Sequence, residues 1–114
     1  MKRVEFKRMS KPYAKQRIIE DLKTDDIKVQ ITGKVAKKDE HSFILSDSTG
    51  KIKVNHQDAD GYLEFQENDL INVIGEFNID MDGAKSIQAQ IIQDMDNLNF
   101  EYYLKLYEIK KEIE

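Results

Sequence analysis

Cysteine is absent from the 114-residue chain, which excludes disulfides and thiolate metal sites and fits a reducing compartment. Histidine is scarce: His41 and His56 are the only imidazoles, both in polar loop or strand-end sequence and neither in a metal spacing. Long apolar runs are missing too, none approaching the ~20 residues that span a bilayer. The opening M-K-R-V-E-F-K-R has no apolar stretch like that of a signal peptide, so the expected location is intracellular, cytoplasmic in a prokaryote and nuclear in a eukaryote. There is no phosphate-cradling Gly loop and no nucleophile setting, and the carboxylates are scattered. Neither an enzyme nor a cofactor is expected. The length suits one domain with one modest core.

What is present is charge, unevenly placed. The formal net charge is −4, yet residues 1–26 hold eight Lys/Arg against five Asp/Glu. Residues 27–94 hold seven against twelve, and residues 95–114 three against five. Phosphate affinity follows local clusters rather than totals. The basic cluster is the N-terminal part, not the acidic centre.

Between Ile27 and Asp94 the sequence reads as five short strands. The first is I-K-V-Q-I-T-G-K-V, with Gly33 where a side chain would crowd a bend. F-I-L-S-D leads into the turn D-S-T-G, and K-I-K-V-N follows. L-I-N-V-I-G-E-F and S-I-Q-A-Q-I-I are the fourth and fifth. Period-two alternation between Asp/Gly/Asn turns is the strand signature. Five such strands and a closing helix predict a mainly β fold, a five-stranded OB-fold barrel with a short N-terminal helix and a C-terminal helix. The expected division is a basic arm and short helix over 1–26, the barrel over 27–94 and an assembly helix over 95–114.

The N-terminal helix is expected from about Tyr13 to Leu22, opened by Ser10 and Pro12, with Ala14, Ile18 and Leu22 at helical spacing. Residues 56–69 form an acidic connector in which Tyr62 and Phe65 are spaced to plug the barrel. Asp96 or Asn97 can cap a final helix running to about Glu112. On that helix Phe100, Tyr103, Leu104 and Tyr107 share one face, while Tyr102, Leu106, Ile109 and Ile113 share the opposite one. One stripe suits the barrel; a second stripe implies a partner.

Alternation points Lys51, Lys53 and Asn55 outward on strand three, Lys34 on strand one and Gln88 on strand five. Lys37, Lys38 and Lys85 lie in or beside the loops joining strands one–two and four–five. Lys for phosphates and Asn/Gln for base edges suit a single nucleic-acid strand laid over that face. The plain alternative is a solvated sheet face, where lysine is ordinary. Stacking platforms, worth ~1–3 kcal/mol per base, are scarce. Phe77 at the mouth of the four–five loop is the candidate, against a core role for the same ring. Asn78-x-Asp80-x-Asp82-Gly83 imitates the start of a calcium loop, but its twelfth position is Ala89 and both flanks read as strands, so a hairpin turn explains it better.

The ordered strings V-Q-I-T-G-K-V, F-I-L-S-D-S-T-G-K-I-K-V, D-L-I-N-V-I-G-E-F and K-S-I-Q-A-Q-I-I-Q-D-M-D-N-L-N-F-E-Y-Y resemble the small subunits of replication protein A and their archaeal relatives. The resemblance covers about residues 17–113, and related telomere-capping OB subunits share the layout. It implies a component of a single-stranded DNA-binding hetero-oligomer acting in replication, repair or recombination. In that family the C-terminal helix joins helices of other OB-fold subunits. The family's middle subunit carries stacking aromatics at positions matching about Gln57 and Asp80, and neither is aromatic here. The resemblance therefore implies modest DNA contact and a mainly architectural role. The rival readings are a protein-only interaction module and an RNA- or tRNA-binding OB module.

Overall fold

The computed structural model of the chain describes residues 14–96 and 98–113. Five strands close into a barrel: β2 (Lys28–Lys38), β3 (Ser42–Ser46), β4 (Lys51–Asn55), β6 (Leu70–Ile79) and β7 (Lys85–Asp94). Two strands of two residues each are added at its margins, β1 (Lys15–Gln16) beside β2 and β5 (Asp60–Gly61) beside β7. One helix, α1 (Phe100–Ile113), follows. This is the mainly β, OB-fold architecture that the alternation predicts.

The eleven residues of β2 serve two neighbours. Its first half pairs antiparallel with β6 and its second with β3. Passing from one partner to the other requires a sharp coil, and two features allow it. At Gly33 a Cβ would stand 2.7 Å from the Ser46 carbonyl oxygen, so only glycine lets β3 approach. Ala36 is the extra residue of a bulge, since Val35 faces Leu45 and Lys37 faces Ile44. The ring shuts through β4 and β7, which run parallel over three residue pairs, Lys53–Ser86, Val54–Ile87 and Asn55–Gln88.

Inward residues of every strand fill the core: Val29, Ile31, Val35, Phe43, Leu45, Val54, Ile71, Val73, Ile87 and Ile92 are fully enclosed or nearly so. Phe65 joins them from the connector with no exposure, and Tyr62 packs against the same cluster. The plug expected of these two residues is there, without a helical turn. Tyr62 donates its hydroxyl to Asp69 at 3.2 Å.

The segment before β2 departs from expectation. Where apolar spacing predicts a helix over 13–22, the described residues form β1 and a single 3-10 turn at Ile19–Asp21. Tyr13 itself lies outside the described residues. The barrel claims the donors that a helix would use internally. The Arg17 amide donates to the Gln30 carbonyl at 3.1 Å and the Ile19 amide to the Asp47 carboxylate at 2.7 Å. Ile18 and Leu22 still bury, so the apolar positions were legible and their backbone was not.

Candidate nucleic-acid interface

The outer face of β3 and β4 shows rows set by register. One row runs Lys37, Ile44, Lys53 and Ser86; the next runs Lys34, Ser46 and Lys51. Ala36, Lys37, Ile44, Lys51, Ile52, Lys53, Gly83 and Lys85 line a groove of about 620 Å³ between the β2–β3 and β6–β7 loops. A smaller hollow of about 230 Å³, lined by Lys37, Asp39, Ser42, Ile44 and Lys53 among others, continues it. Ile44 thus makes an apolar floor ringed by four ammonium groups. Such a floor accepts the face of a base or sugar while the rim meets phosphates.

The β6–β7 loop that walls one side is held by its own carboxylate. Asp80 accepts from the Asp82 and Ala84 amides, both at 2.9 Å, and Gly83 takes φ +86° at the turn. That use of Asp80, between two strands, accounts for the calcium-like spelling. At its tip Met81 is wholly exposed.

Of the residues expected at this face, Lys37, Lys51, Lys53 and Lys85 converge on the groove. Lys34 lies one row away. Asn55 and Gln88 face each other across the β4–β7 seam, half-buried and beyond the groove's lining. Two more of the expected residues lie off the groove. Lys38 pairs with inward-facing Phe43 because the bulge at Ala36 shifts the alternation by one. Its ammonium turns to the barrel end, donates to the Phe65 carbonyl at 2.6 Å and sits 4.3 Å from that ring's centroid. Phe77 faces the core at 7 % exposure, the core role weighed for that ring against stacking. Ile44, the floor, was the residue missed. Its signal was an isoleucine at an outward position between Ser42 and Ser46.

Helix α1 is capped by Asn99, whose side-chain oxygen accepts the Tyr102 amide at 3.1 Å. That replaces the expected Asp96; Asn97 lies outside the described residues. One face is seated on the N-terminal segment. Gln16 donates to the Tyr103 hydroxyl at 3.0 Å, and Tyr107, itself buried, donates to Asp21 at 3.1 Å. Lys111 reaches the same Asp21 oxygen at 2.9 Å. The Lys111 hydrogen bond outweighs partial burial and holds the Asp21 carboxyl below the usual carboxylate range. Burial, then the bond to Asp21, pushes the Tyr107 phenol up. Beneath this, Arg17 grips Asp26 through two nitrogens at 3.1 Å. Burial would raise Asp26, but Arg17 and the Lys23 amide outweigh it and the carboxyl ends lowered. The opposite face leaves Tyr102 60 %, Leu106 42 % and Ile109 53 % exposed. The Ile113 side chain lies outside the described residues.

No helix among the described residues is long and apolar enough to cross a membrane. No family model matches the sequence, and no curated protein does. Solved structures do match it in fold. A chain of the S. pombe Stn1–Ten1 complex gives a TM-score of 0.70 at 18 % identity, over 90 % of this chain and 96 % of that one. The telomere capping protein Ten1 from Saccharomyces pombe gives 0.69 at 18 % identity, over 88 % and 99 %. A chain of a replication protein A heterotrimer bound to single-stranded DNA gives 0.50 at 15 % identity, over 68 % and 63 %. The chain shares the OB-fold of these subunits.

Proposed function

We propose that this chain is a small, non-enzymatic subunit of a hetero-oligomeric single-stranded DNA-binding complex of the replication-protein-A type, acting in DNA replication, repair or recombination. The observation that carries the reading is the groove, in which Lys37, Lys51, Lys53 and Lys85 surround Ile44 on an otherwise acidic barrel. Four ammonium groups without an aromatic platform suit a modest, salt-sensitive contact with phosphates. The fold shared with a Stn1–Ten1 chain and with a chain of an RPA heterotrimer on single-stranded DNA supports the reading. It also makes telomere capping a related role. Assembly runs through Tyr102, Leu106 and Ile109 of α1, which meet helices of other OB-fold subunits. The compartment follows the DNA: cytoplasm in a prokaryote, nucleus in a eukaryote.

The test is fluorescence anisotropy of labelled oligo(dT), about 16 nucleotides long, titrated with the chain at two salt concentrations against a duplex control. Saturable binding that salt weakens, and that Lys51→Glu/Lys53→Glu removes, is the expected result. Binding indifferent to that double substitution sinks the groove. No binding at all leaves a protein-only module, and a preference for matched RNA turns the reading to an RNA-binding one.

A further inference from the structure

Beside the lysine row of the groove, register sets a second outward row of different chemistry. Ser42 faces Asn55 across β3 and β4, and Asn55 faces Gln88 across the β4–β7 seam. Asp39 extends the row at its hairpin end, where its amide donates to the Ser42 carbonyl at 2.8 Å. The hairpin is pinned a second time, since the His41 carbonyl accepts the His56 amide at 2.9 Å. Ser42 is half-buried and Asp39 exposed. These two residues line the hollow of about 230 Å³ that continues the groove, together with Lys37, Ile44 and Lys53. Phe43 completes the lining with its backbone, its ring being buried in the core. Among the described residues the only ion pair of this hairpin joins His41 to Glu40, at 4.0 Å.

We propose that this hollow reads a base, and that Asp39 makes it select cytosine over thymine or uracil. The inference rests on the reading that the groove holds a single strand, and adds the base that it prefers. A site for phosphate alone has no use for a carboxylate, which repels the ligand and weakens the pull of Lys37 and Lys53. An acceptor is of use where the ligand brings a donor. Cytosine brings one, its 4-amino group, beside two acceptors, N3 and O2. The hollow answers in kind. The Asp39 carboxylate accepts from the amine, while the Ser42 hydroxyl and the ammonium of Lys37 or Lys53 donate to N3 and O2. Ile44 takes the face of the ring. Thymine and uracil carry a carbonyl oxygen where cytosine has its amine, and so set two acceptors against each other at Asp39. Guanine presents two donors beside one acceptor, the reverse of what one carboxylate among three donors supplies. Adenine presents one amine and one acceptor, which leaves a donor of the hollow unanswered.

The experiment is fluorescence anisotropy of labelled oligo(dC) and oligo(dU), each of about 16 nucleotides, titrated with the full chain at neutral pH. The two strands share one backbone and differ in the base edge alone. The titrations are run on the unsubstituted chain, Asp39→Asn, Ser42→Ala and Lys85→Gln. Oligo(dC) should bind about tenfold more tightly than oligo(dU), at the low end of what a good base-edge contact discriminates. Asp39→Asn should strengthen oligo(dU), because a charge is lost and the new amide can donate to O4, and the preference for oligo(dC) should disappear. The amide of residue 39, not its side chain, closes the hairpin, so this variant keeps the fold. Ser42→Ala should narrow the preference, and Lys85→Gln should weaken both strands alike and keep their ratio. Equal binding of the two strands by the unsubstituted chain overturns base selection and leaves the groove standing. A preference that survives Asp39→Asn overturns the role of that carboxylate. No binding of either strand overturns both readings. A single deoxyguanosine in oligo(dU) that outbids a single deoxycytidine there assigns the hollow to guanine and overturns the proposal.

Discussion

Asp47 does more for the fold than its turn position suggests. Fully buried, it accepts from the Thr49 amide at 2.9 Å, the Thr49 hydroxyl at 2.6 Å and the Gly50 amide at 3.2 Å, while its other oxygen takes the Ile19 amide. One carboxylate thus shapes the β3–β4 turn and pins the segment before β2. Asp47→Ala strands these donors and should cost about 3 kcal/mol, read as a lower urea midpoint at unchanged m. Gly33→Ala should cost about 2 kcal/mol by the same measurement, because the new methyl meets a backbone carbonyl that β3 cannot easily move. Gly33 was legible in the sequence as a mid-strand glycine. Asp47 was not, because D-S-T-G spells a turn whether or not its carboxylate also reaches a segment twenty-eight residues earlier.

At the scale of elements, strands were readable and their edges of influence were not. Alternation located all five barrel strands because each sends an alternating apolar row into the core. Lys38 escaped it because a bulge leaves no mark in the hydrophobic pattern beyond Ala36. Helix α1 was readable on both faces, since 3.6-residue spacing separates Phe100, Tyr103, Leu104 and Tyr107 from Tyr102, Leu106 and Ile109 whatever lies beneath. Its docking is sensitive to pH in two directions. Asp21 and Asp26 have lowered folded pKa values, so their contribution is complete above the ordinary carboxylate range and is lost as pH falls through the folded values. Tyr107 is raised, so its contribution is present below pH about 10 and is lost as pH rises through the folded value. Thermal stability should hold level across neutral pH and fall at both ends. Asp21→Asn should shrink the acid-side loss, and Tyr107→Phe the alkaline one. On the outer face, Leu106→Glu/Ile109→Glu should leave the far-ultraviolet dichroism unchanged while abolishing co-purification with partner OB-fold subunits.

Across the whole molecule, the charge map explains why bulk composition misleads. A net of −4 describes a chain in which four lysines gather at a groove over β3 and β4 and four cations line a cleft beside α1, where Asp21 and Asp26 already engage Lys111 and Arg17. The groove's lysines were legible as outward positions; their convergence was not, because it depends on which loops overhang. The cleft had no sequence signal, since Lys15 and Lys110 are ninety-five positions apart in the chain.

The parallel closure of the barrel has a mechanical meaning. β4 and β7 are joined by three residue pairs, where β6 and β7 share nine and β2 and β6 seven. The cylinder therefore has a short zip, and it lies under the proposed binding groove, with Lys53 on one lip and Lys85 next to the other. An anionic strand spanning those two ammonium groups acts as a suture. It would hold that short ladder shut, so a ligand that contacts only side chains would slow amide exchange in the backbone of residues 53–55 and 86–88.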